Sequence, residues 1–239
     1  MPAADHNLVA VPESLSAASV ASLGCRFATA FRALQHRAQV RPGEVVAIFG
    51  CGGVGLSAVM LARALGAQVI AVDVAPGALE LAAEVGAARE VNSSGLTPEE
   101  VAAAVRAAAI TLASEPELGP GRDSRVAGTG PQVTLEALGR AETLEAALLS
   151  LDPLGRHVQV GLFSEVPRTL IPRVVALELT VLGSHGMAAT DYPELLNLLV
   201  AGAVNPSVLV TRELELEQVP AALAAMAQGT EPGVAVIRP

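Results

Sequence analysis

Residues 45–73 read VVAIFGCGGVGLSAVMLARALGAQVIAVD, and this stretch decides the fold. An apolar, β-branched run begins at Val45 and ends in glycines, after which a helical pattern of apolar residues continues to Ala64. A second apolar run begins at Gln68 and ends on an acid, Asp73. The order predicts a strand, a tight turn, a helix and a second strand.

The turn after the first strand carries the pattern G-x-G-x-x-G, which is typical of dinucleotide-binding sites. Gly50 permits the tight turn, Gly52 leaves room for a pyrophosphate, and Gly55 lets the helix pack close to the strand. The pyrophosphate is expected beside Gly53 at the helix N-terminus, where N–H groups without acceptors favour an anion. The carboxylate of Asp73 is expected to accept hydrogen bonds from the ribose hydroxyls.

Two other interpretations of this stretch are less favoured. Residues 45–62 carry no charge and reach the length of ~18 residues needed for a membrane span. The glycines in the middle favour a buried βα unit instead. Gly50, Gly55 and Ser57 have the spacing of a phosphate-binding P-loop, but Leu56 stands where that loop needs its lysine, so nucleotide hydrolysis is disfavoured.

Composition excludes several function classes. Hydrophobic residues make up 51% of the 239 residues and charged residues only 16%, which indicates a large buried interior. The net charge of −9, without a basic cluster, argues against nucleic acid as a partner. All 15 basic residues are arginine, so a lysine Schiff base is impossible, as is the Tyr-x-x-x-Lys dyad of short-chain dehydrogenases. Cys25 and Cys51 form no C-x-x-C pair and no signal peptide is visible, so we expect a reduced, cytoplasmic setting and no membrane association.

The rest of the chain alternates short apolar runs with helical patterns. An amphipathic helix is predicted over 24–34, and residues 113–131 are predicted to form a surface loop. Further strands are predicted over 89–91, 132–136, 157–160 and 233–237. Further helices are predicted to begin near Pro76 and Thr97 and over 141–149, 192–200 and 216–227. The alternation predicts an α/β fold with a doubly wound parallel sheet of the Rossmann type.

Several stretches, in this order along the chain, resemble the medium-chain dehydrogenase family, and in particular its zinc-dependent alcohol dehydrogenases. They are residues 23–29 (LGCRFAT), 40–44 (VRPGE), the glycine turn, 71–73 (AVD), 135–139 (LEALG), 160–162 (VGL) and 183–186 (GSHG). The resemblance implies NAD and zinc as cofactors and a small-molecule alcohol or aldehyde as substrate.

The resemblance also implies roles for individual residues. Cys25 matches a ligand of the catalytic zinc, and Thr29 matches a threonine beside the nicotinamide. His185 could orient cofactor or substrate, although a structural role is favoured for it. His6, His36 and His157 lack the spacing of metal ligands, and we assign them no catalytic or metal-binding role. The cofactor cleft is implied to be lined by Val54, Leu138, Gly161 and Leu162.

Members of this family carry an N-terminal catalytic domain that supplies further zinc ligands. We expect this chain to start near the end of that domain, so that Cys25 is the one ligand left and the zinc site is incomplete. The chain is then expected to comprise a remnant of that domain with a linking helix (1–40), a dinucleotide-binding domain (41–186), and C-terminal helices with a return segment (187–239). The catalytic residues cannot be assigned.

Three functions follow. The first is an NAD-dependent oxidoreductase of the zinc alcohol dehydrogenase class, possessing the cofactor site but an incomplete catalytic centre. The alternatives are a non-catalytic module that binds NAD or dimerises, and a zinc-free relative of the quinone reductases. NAD is expected over NADP because Asp73 repels a 2′-phosphate. A homodimer is expected through the edge of the sheet, where residues 177–182 are predicted to form a strand.

Overall fold

A computed structural model gives the fold and the side-chain positions. The residues that it describes are 7–114, 128–167, 170–226 and 232–238. Residues 115–127 of the surface loop predicted over 113–131 lie outside these ranges. His6, near the N-terminus, also lies outside them. No helix in the described ranges is both long enough and apolar enough to cross a membrane.

The regular elements alternate along the chain as the sequence predicts. The strands are β1 Val45–Phe49, β2 Gln68–Asp73, β3 Arg89–Asn92, β4 Val133–Glu136, β5 Arg156–Gln159, β6 Thr180–Gly183, β7 Val210–Glu215 and β8 Val234–Arg238. The α-helices are α1 Ala17–Ala21, α2 Ala28–Phe31, α3 Gly53–Ala64, α4 Pro76–Glu84, α5 Pro98–Ala113, α6 Ala141–Ser150, α7 Ile171–Ala176, α8 Tyr192–Val200 and α9 Val219–Met226.

Within the described residues, six strands form one sheet in the order β3-β2-β1-β4-β5-β6, and every neighbouring pair in it is parallel. This is the doubly wound order in which the chain leaves β1 toward one edge and later returns to build the other edge from β4. The prediction of a doubly wound parallel sheet is therefore confirmed. A second, small sheet pairs β7 with β8, also in parallel, with α9 between them in the chain.

Both faces of the large sheet are buried, which explains the continuous apolar run of β1. Val46 and Ile48 belong to the core formed with α3 and α4, whereas Val45, Ala47 and Phe49 belong to the core formed with α5 and α6. A strand that is covered on both sides needs apolar residues at every position, so no polar alternation is seen.

Helix starts follow the local signals in the sequence. The side chain of Thr97 accepts from the Glu100 N–H, while the Glu100 side chain accepts from the Thr97 N–H, so α5 begins with a complete capping box. Pro76 occupies the first turn of α4, where its missing N–H costs nothing.

Two segments differ from the predicted elements. The helix predicted over 24–34 is interrupted, because π-helical turns at Leu23–Phe27 and Arg32–Ala38 flank α2. The strand predicted over 177–182 begins only at Thr180. The preceding apolar residues form α7, which ends where Glu178 adopts a left-handed backbone with φ of 50°.

Candidate functional site

The candidate site lies where the strand order reverses, at the carboxyl ends of β1 and β4. These two strands are neighbours, with Phe49 paired to Glu136, but their connections run to opposite edges of the sheet. The diverging connections leave a crevice, which is the usual ligand position in open α/β sheets. The glycine turn forms one side of this crevice.

Gly50 and Gly55 shape the turn. Gly50 has φ of +93°, and a Cβ built on it would lie 2.5 Å from Leu138 Cγ. A Cβ on Gly55 would overlap the carbonyl oxygen of Gly50, so the start of α3 packs directly on the end of β1. Both positions require glycine for the physical reasons that the sequence predicts.

Gly52 and the first turn of α3 offer an open anion site. A Cβ on Gly52 would meet no atom within 4 Å, although this residue is the N-cap of α3 and has no side chain to cap it. The first N–H groups of a helix have no intrahelical acceptor. The open space at Gly52, beside the first turn of α3, therefore fits a phosphate group, and in this respect the residues present fit a dinucleotide.

Asp73 is fixed beside the same turn. Its Oδ2 accepts a 2.6 Å hydrogen bond from the Cys51 N–H, and its Oδ1 accepts a 2.9 Å bond from the Ala75 N–H. Each carboxylate oxygen retains lone pairs for a ribose hydroxyl. The Cys51 thiol is buried behind this carboxylate, and burial together with the charge of Asp73 raises its pKa to about 12, so it stays protonated.

The loops after β4 and β5 form the opposite side of the crevice. A Cβ on Gly139 would overlap the carbonyl oxygen of Leu162, and a Cβ on Gly161 would overlap the Gly139 N–H group, so the two loops are in direct contact. Leu138 is 46% exposed and Leu162 is 78% exposed. Apolar side chains left in solvent beside the glycine turn suit a site that a ligand covers.

Glu136 is a central residue of this crevice that sequence reasoning quoted without a role. The side chain is completely buried at the end of β4. Its carboxylate accepts hydrogen bonds from the Leu138 N–H at 3.0 Å, the Gly139 N–H at 2.9 Å and the Thr143 hydroxyl at 2.7 Å, and from the Gln159 side chain. It thus holds the loop that carries Leu138.

A chain of hydrogen bonds leads from Glu136 across the sheet to His157. The Gln159 amide donates to Glu136, and its Oε1 lies 3.2 Å from His157 Nε2; His157 Nδ1 lies 2.9 Å from the Thr134 hydroxyl. This arrangement fits a neutral ring that donates through Nε2 and accepts through Nδ1. Burial lowers the pKa of His157 to about 4, although Gln159 and Glu136 act in the opposite direction. His157 therefore has a structural position that its sequence spacing did not reveal.

Cys25 and Thr29 lie on the helical segment that packs against α3. Cys25 is exposed in the π-helical turn, while Thr29 is buried on α2. The Tyr192 hydroxyl donates to the Gly24 carbonyl at 3.1 Å. Burial, and then the nearby thiol of Cys25, raise the pKa of Tyr192. Tyr192 is thus a neighbour of the predicted metal ligand that sequence reasoning missed.

The residues near Cys25 do not fit a metal ion. Within the described ranges, no three His, Cys, Asp or Glu side chains lie close enough together to hold one. His36 is instead 3.2 Å from Glu194 and 3.7 Å from Asp191. His185 is exposed in the segment after β6.

A cavity of about 500 Å³ lies elsewhere, between α1 and the sheet of β7 and β8. Its lining includes Glu213 and Arg238 but none of the residues predicted to bind the cofactor. We assign it no role, because the crevice at the glycine turn, and not this cavity, carries the features of the candidate site.

The parallel sheet with a glycine turn at its point of reversal defines a Rossmann-type α/β domain. The chain belongs to the zinc-binding dehydrogenase family, whose profile matches residues 53–201.

Individual proteins support this assignment. The chain is 31% identical to the probable D-xylulose reductase A of Aspergillus clavatus, over 77% of this chain and 48% of that protein. It is 29% identical to the NAD-dependent alcohol dehydrogenase of Sulfurisphaera tokodaii, over 84% of this chain and 52% of that protein. The structure is similar to alcohol dehydrogenase TADH from Thermus sp. ATN1, with a TM-score of 0.78 and 30% identity, covering 95% of this chain and 61% of that one. The chain spans about half the length of these two curated relatives.

Proposed function

We propose that this chain binds NAD(H) and is the coenzyme domain of an NAD-dependent alcohol dehydrogenase, which transfers hydride between an alcohol and NAD. The observation that carries the proposal is the open N-terminus of α3 beside the fixed carboxylate of Asp73. Family membership and the relatives' names, an NAD-dependent alcohol dehydrogenase and a D-xylulose reductase, support the same reaction class.

Different residues of the crevice would bind different parts of the cofactor. The first turn of α3 would hold the pyrophosphate at Gly52 and Gly53, and Asp73 would accept from the adenosine ribose. Leu138 and Leu162 would cover apolar parts of the cofactor and exclude water from them. Bound NAD supplies a hydride acceptor, and NADH a hydride donor.

The proposed substrate is a small alcohol or the corresponding aldehyde. The described residues do not fit zinc, and we derive no step through a metal ion. This observation favours a second candidate function, an NAD-binding module that does not turn over a substrate by itself.

Two measurements separate these functions. Titrating the chain into NADH and following the cofactor's own fluorescence tests binding directly, because the chain has no tryptophan to interfere. Adding NAD, zinc and a panel of simple alcohols, and then following absorbance at the NADH band, tests turnover. Binding with turnover supports the dehydrogenase, binding without turnover supports the module, and no binding contradicts both.

We also propose a homodimer formed through β6. Within the described sheet β6 is an edge strand, and edge strands are templates for pairing with another chain. Val181 on this strand is 50% exposed, and Val175 in the preceding helix is 70% exposed. Light scattering at micromolar concentration should give a dimer, whereas a monomer of 24.2 kDa would contradict the proposal.

Finally, we propose a cytoplasmic location. Cys25 and Cys51 are both free thiols, which suits a reducing compartment. Cell fractionation followed by immunodetection tests this location, and recovery of the chain from a secreted or membrane fraction would contradict it.

A further inference from the structure

The side chain of Arg26 lies directly on the glycine turn. Arg26 belongs to the π-helical turn Leu23–Phe27, and Gly53 is the first residue of α3. A Cβ built on Gly53 would overlap Cδ and Nε of Arg26 and would lie 3.3 Å from its Cγ. The guanidinium therefore lies beside the first turn of α3, at the anion site of the crevice.

The charge of Arg26 has no counterpart in the described part of the chain. Acidic residues outnumber basic ones, 24 to 15, and other arginines contact them: Arg156 is 2.6 Å from Glu44 and Arg238 is 2.6 Å from Glu213. Arg26 forms neither an ion pair nor a hydrogen bond with any described residue. Arg26 is half-buried, and the N–H groups of its guanidinium donate to none of the residues that the structure describes.

The position is also electrostatically unfavourable in the absence of a ligand. The N-terminus of a helix carries the positive end of the helix dipole, which repels a nearby cation. An anion placed between the guanidinium and the helix would attract both of them. A pyrophosphate matches this arrangement, because a guanidinium donates two parallel hydrogen bonds to phosphate oxygens.

We propose that Arg26 is a phosphate-binding residue of the cofactor site, which holds the pyrophosphate of NAD(H) together with the first-turn N–H groups of α3. This inference rests on the proposed function. It adds a side-chain cation to a site that the glycine pattern alone assigns to backbone groups.

The test compares NADH binding by the wild-type chain, Arg26→Gln and Arg26→Lys through cofactor fluorescence. Arg26→Gln should weaken NADH binding about tenfold to a hundredfold, because hydrogen bonds between charged groups are lost. Lysine keeps the charge but lacks the planar fork of donors, so the NADH affinity of Arg26→Lys should lie between those of the wild type and Arg26→Gln. Arg32→Gln is the matched control: Arg32 follows on the same helical segment but lies 3.9 Å from Asp191, and this variant should bind as the wild type does.

Two further readouts distinguish phosphate binding from a general loosening of the site. The dissociation constant of ADP-ribose, which contains the pyrophosphate, is measured by its displacement of NADH and should rise in Arg26→Gln, while that of adenosine should not change. The difference in NADH affinity between wild type and Arg26→Gln should also shrink as salt is added, because salt screens the charges.

The outcomes separate this inference from the proposed function. Failure of the wild-type chain to bind NADH would overturn both. Wild-type binding with equal or tighter binding by Arg26→Gln would overturn only the role of Arg26 and would mean that the side chain merely covers the turn. If thermal unfolding shows that Arg26→Gln does not fold, Arg26→Lys decides. Unchanged affinity of this variant for NADH and for ADP-ribose would overturn the inference, and a weakening of both would support it.

Discussion

The backbone N–H of Cys51 donates a 2.6 Å hydrogen bond to the carboxylate of Asp73, joining the glycine turn after β1 to the end of β2. The acid that sequence reasoning assigned to the ribose therefore also fixes the turn expected to hold the pyrophosphate. Any substitution of Asp73 has to be designed so that the loss of charge can be separated from the loss of this bond.

Asp73→Asn keeps the bond to the turn, because the asparagine oxygen can still accept from the Cys51 N–H, and only the exposed bond from the Ala75 N–H is lost with the charge. Wild type should bind NADH more tightly than NADPH, since a carboxylate repels a 2′-phosphate. We expect Asp73→Asn to reduce the preference for NADH about a hundredfold, because like charges placed together at an interface cost several kcal/mol. Fluorescence titration with both reduced cofactors measures it.

Glu84→Gln serves as the charge-matched control, because Glu84 is exposed at the C-terminal end of α4, away from the turn. Its cofactor preference should equal that of the wild type. Equal or tighter NADPH binding by the unmodified chain would contradict the role of Asp73.

Gly52 and Gly55 should respond differently to the same change. Gly52→Ala adds a methyl group to open space at φ of −78°, so the free energy of unfolding should fall by no more than about 1 kcal/mol, the cost of alanine at an N-cap. NADH binding should nevertheless be lost, because the methyl group occupies the phosphate position. Gly55→Ala instead forces a methyl group onto Gly50, and should destabilise the fold by about 1–3 kcal/mol. Urea unfolding and NADH titration of both variants test the contrast, which equal stability of the two would refute.

Glu136→Gln should loosen the loop on the opposite side of the crevice. The amide nitrogen of glutamine cannot accept, so some of the donors from Leu138, Gly139 and Thr143 would stay buried without partners. We expect a loss of about 1–3 kcal/mol in the free energy of unfolding, together with weaker NADH binding. Glu142→Gln, an exposed change on α6, should alter neither quantity. A fully stable Glu136→Gln chain would show that the loop does not depend on the carboxylate.

His157 should make the fold sensitive to mild acid. Its pKa is lowered from 6.5 to about 4 in the folded chain, so between these values the unfolded chain binds more protons. The contribution of neutral His157 to the free energy of unfolding is fully present above pH 6.5. It is lost as the pH falls toward 4, by roughly 3 kcal/mol in total.

The measurement is urea unfolding at several pH values. His157→Gln should show a shallower loss of stability toward acid than the wild type, whatever its stability at neutral pH. His185→Gln removes an exposed histidine and should keep the wild-type slope. If the free energy of unfolding falls equally with pH in wild type and His157→Gln, His157 is not the cause of the acid sensitivity.

Zinc should not remain bound after dialysis. Cys25 is exposed and, within the described ranges, no group of three candidate ligands exists, whereas zinc sites use at least three protein ligands. Elemental analysis should give well under one zinc per chain. One retained zinc that is lost in Cys25→Ala would prove this expectation wrong.

The glycine turn and the parallel order were predictable because their causes are local. Gly50 and Gly55 are required by backbone geometry within a few residues, and the apolar run of β1 reports burial on both faces. The division of residues 171–183 into α7 and β6 was not predictable in the same way, because a short apolar run fits a buried helix as well as a strand.

The remaining parts of the site depend on contacts between distant positions. Thr134 faces His157, and Glu136 faces Gln159, only because β4 and β5 pair in one particular register. Arg26 reaches Gly53 only because the N-terminal helical segment packs on α3. No spacing in the sequence encodes these pairings, so Arg26 and Glu136 stand in the quoted motifs without a role, and Thr134 and Gln159 are not singled out at all.

The contrast between the two thiols has a practical consequence. Cys51 is buried with a pKa of about 12, so it should resist alkylation, whereas Cys25 is exposed and directly precedes Arg26 in the same π-helical turn. A maleimide dye or spin label should therefore attach at a single position without any cysteine being removed. The folded chain carries its own attachment point at the rim of the crevice, from which nucleotide docking can be followed by an optical or magnetic signal.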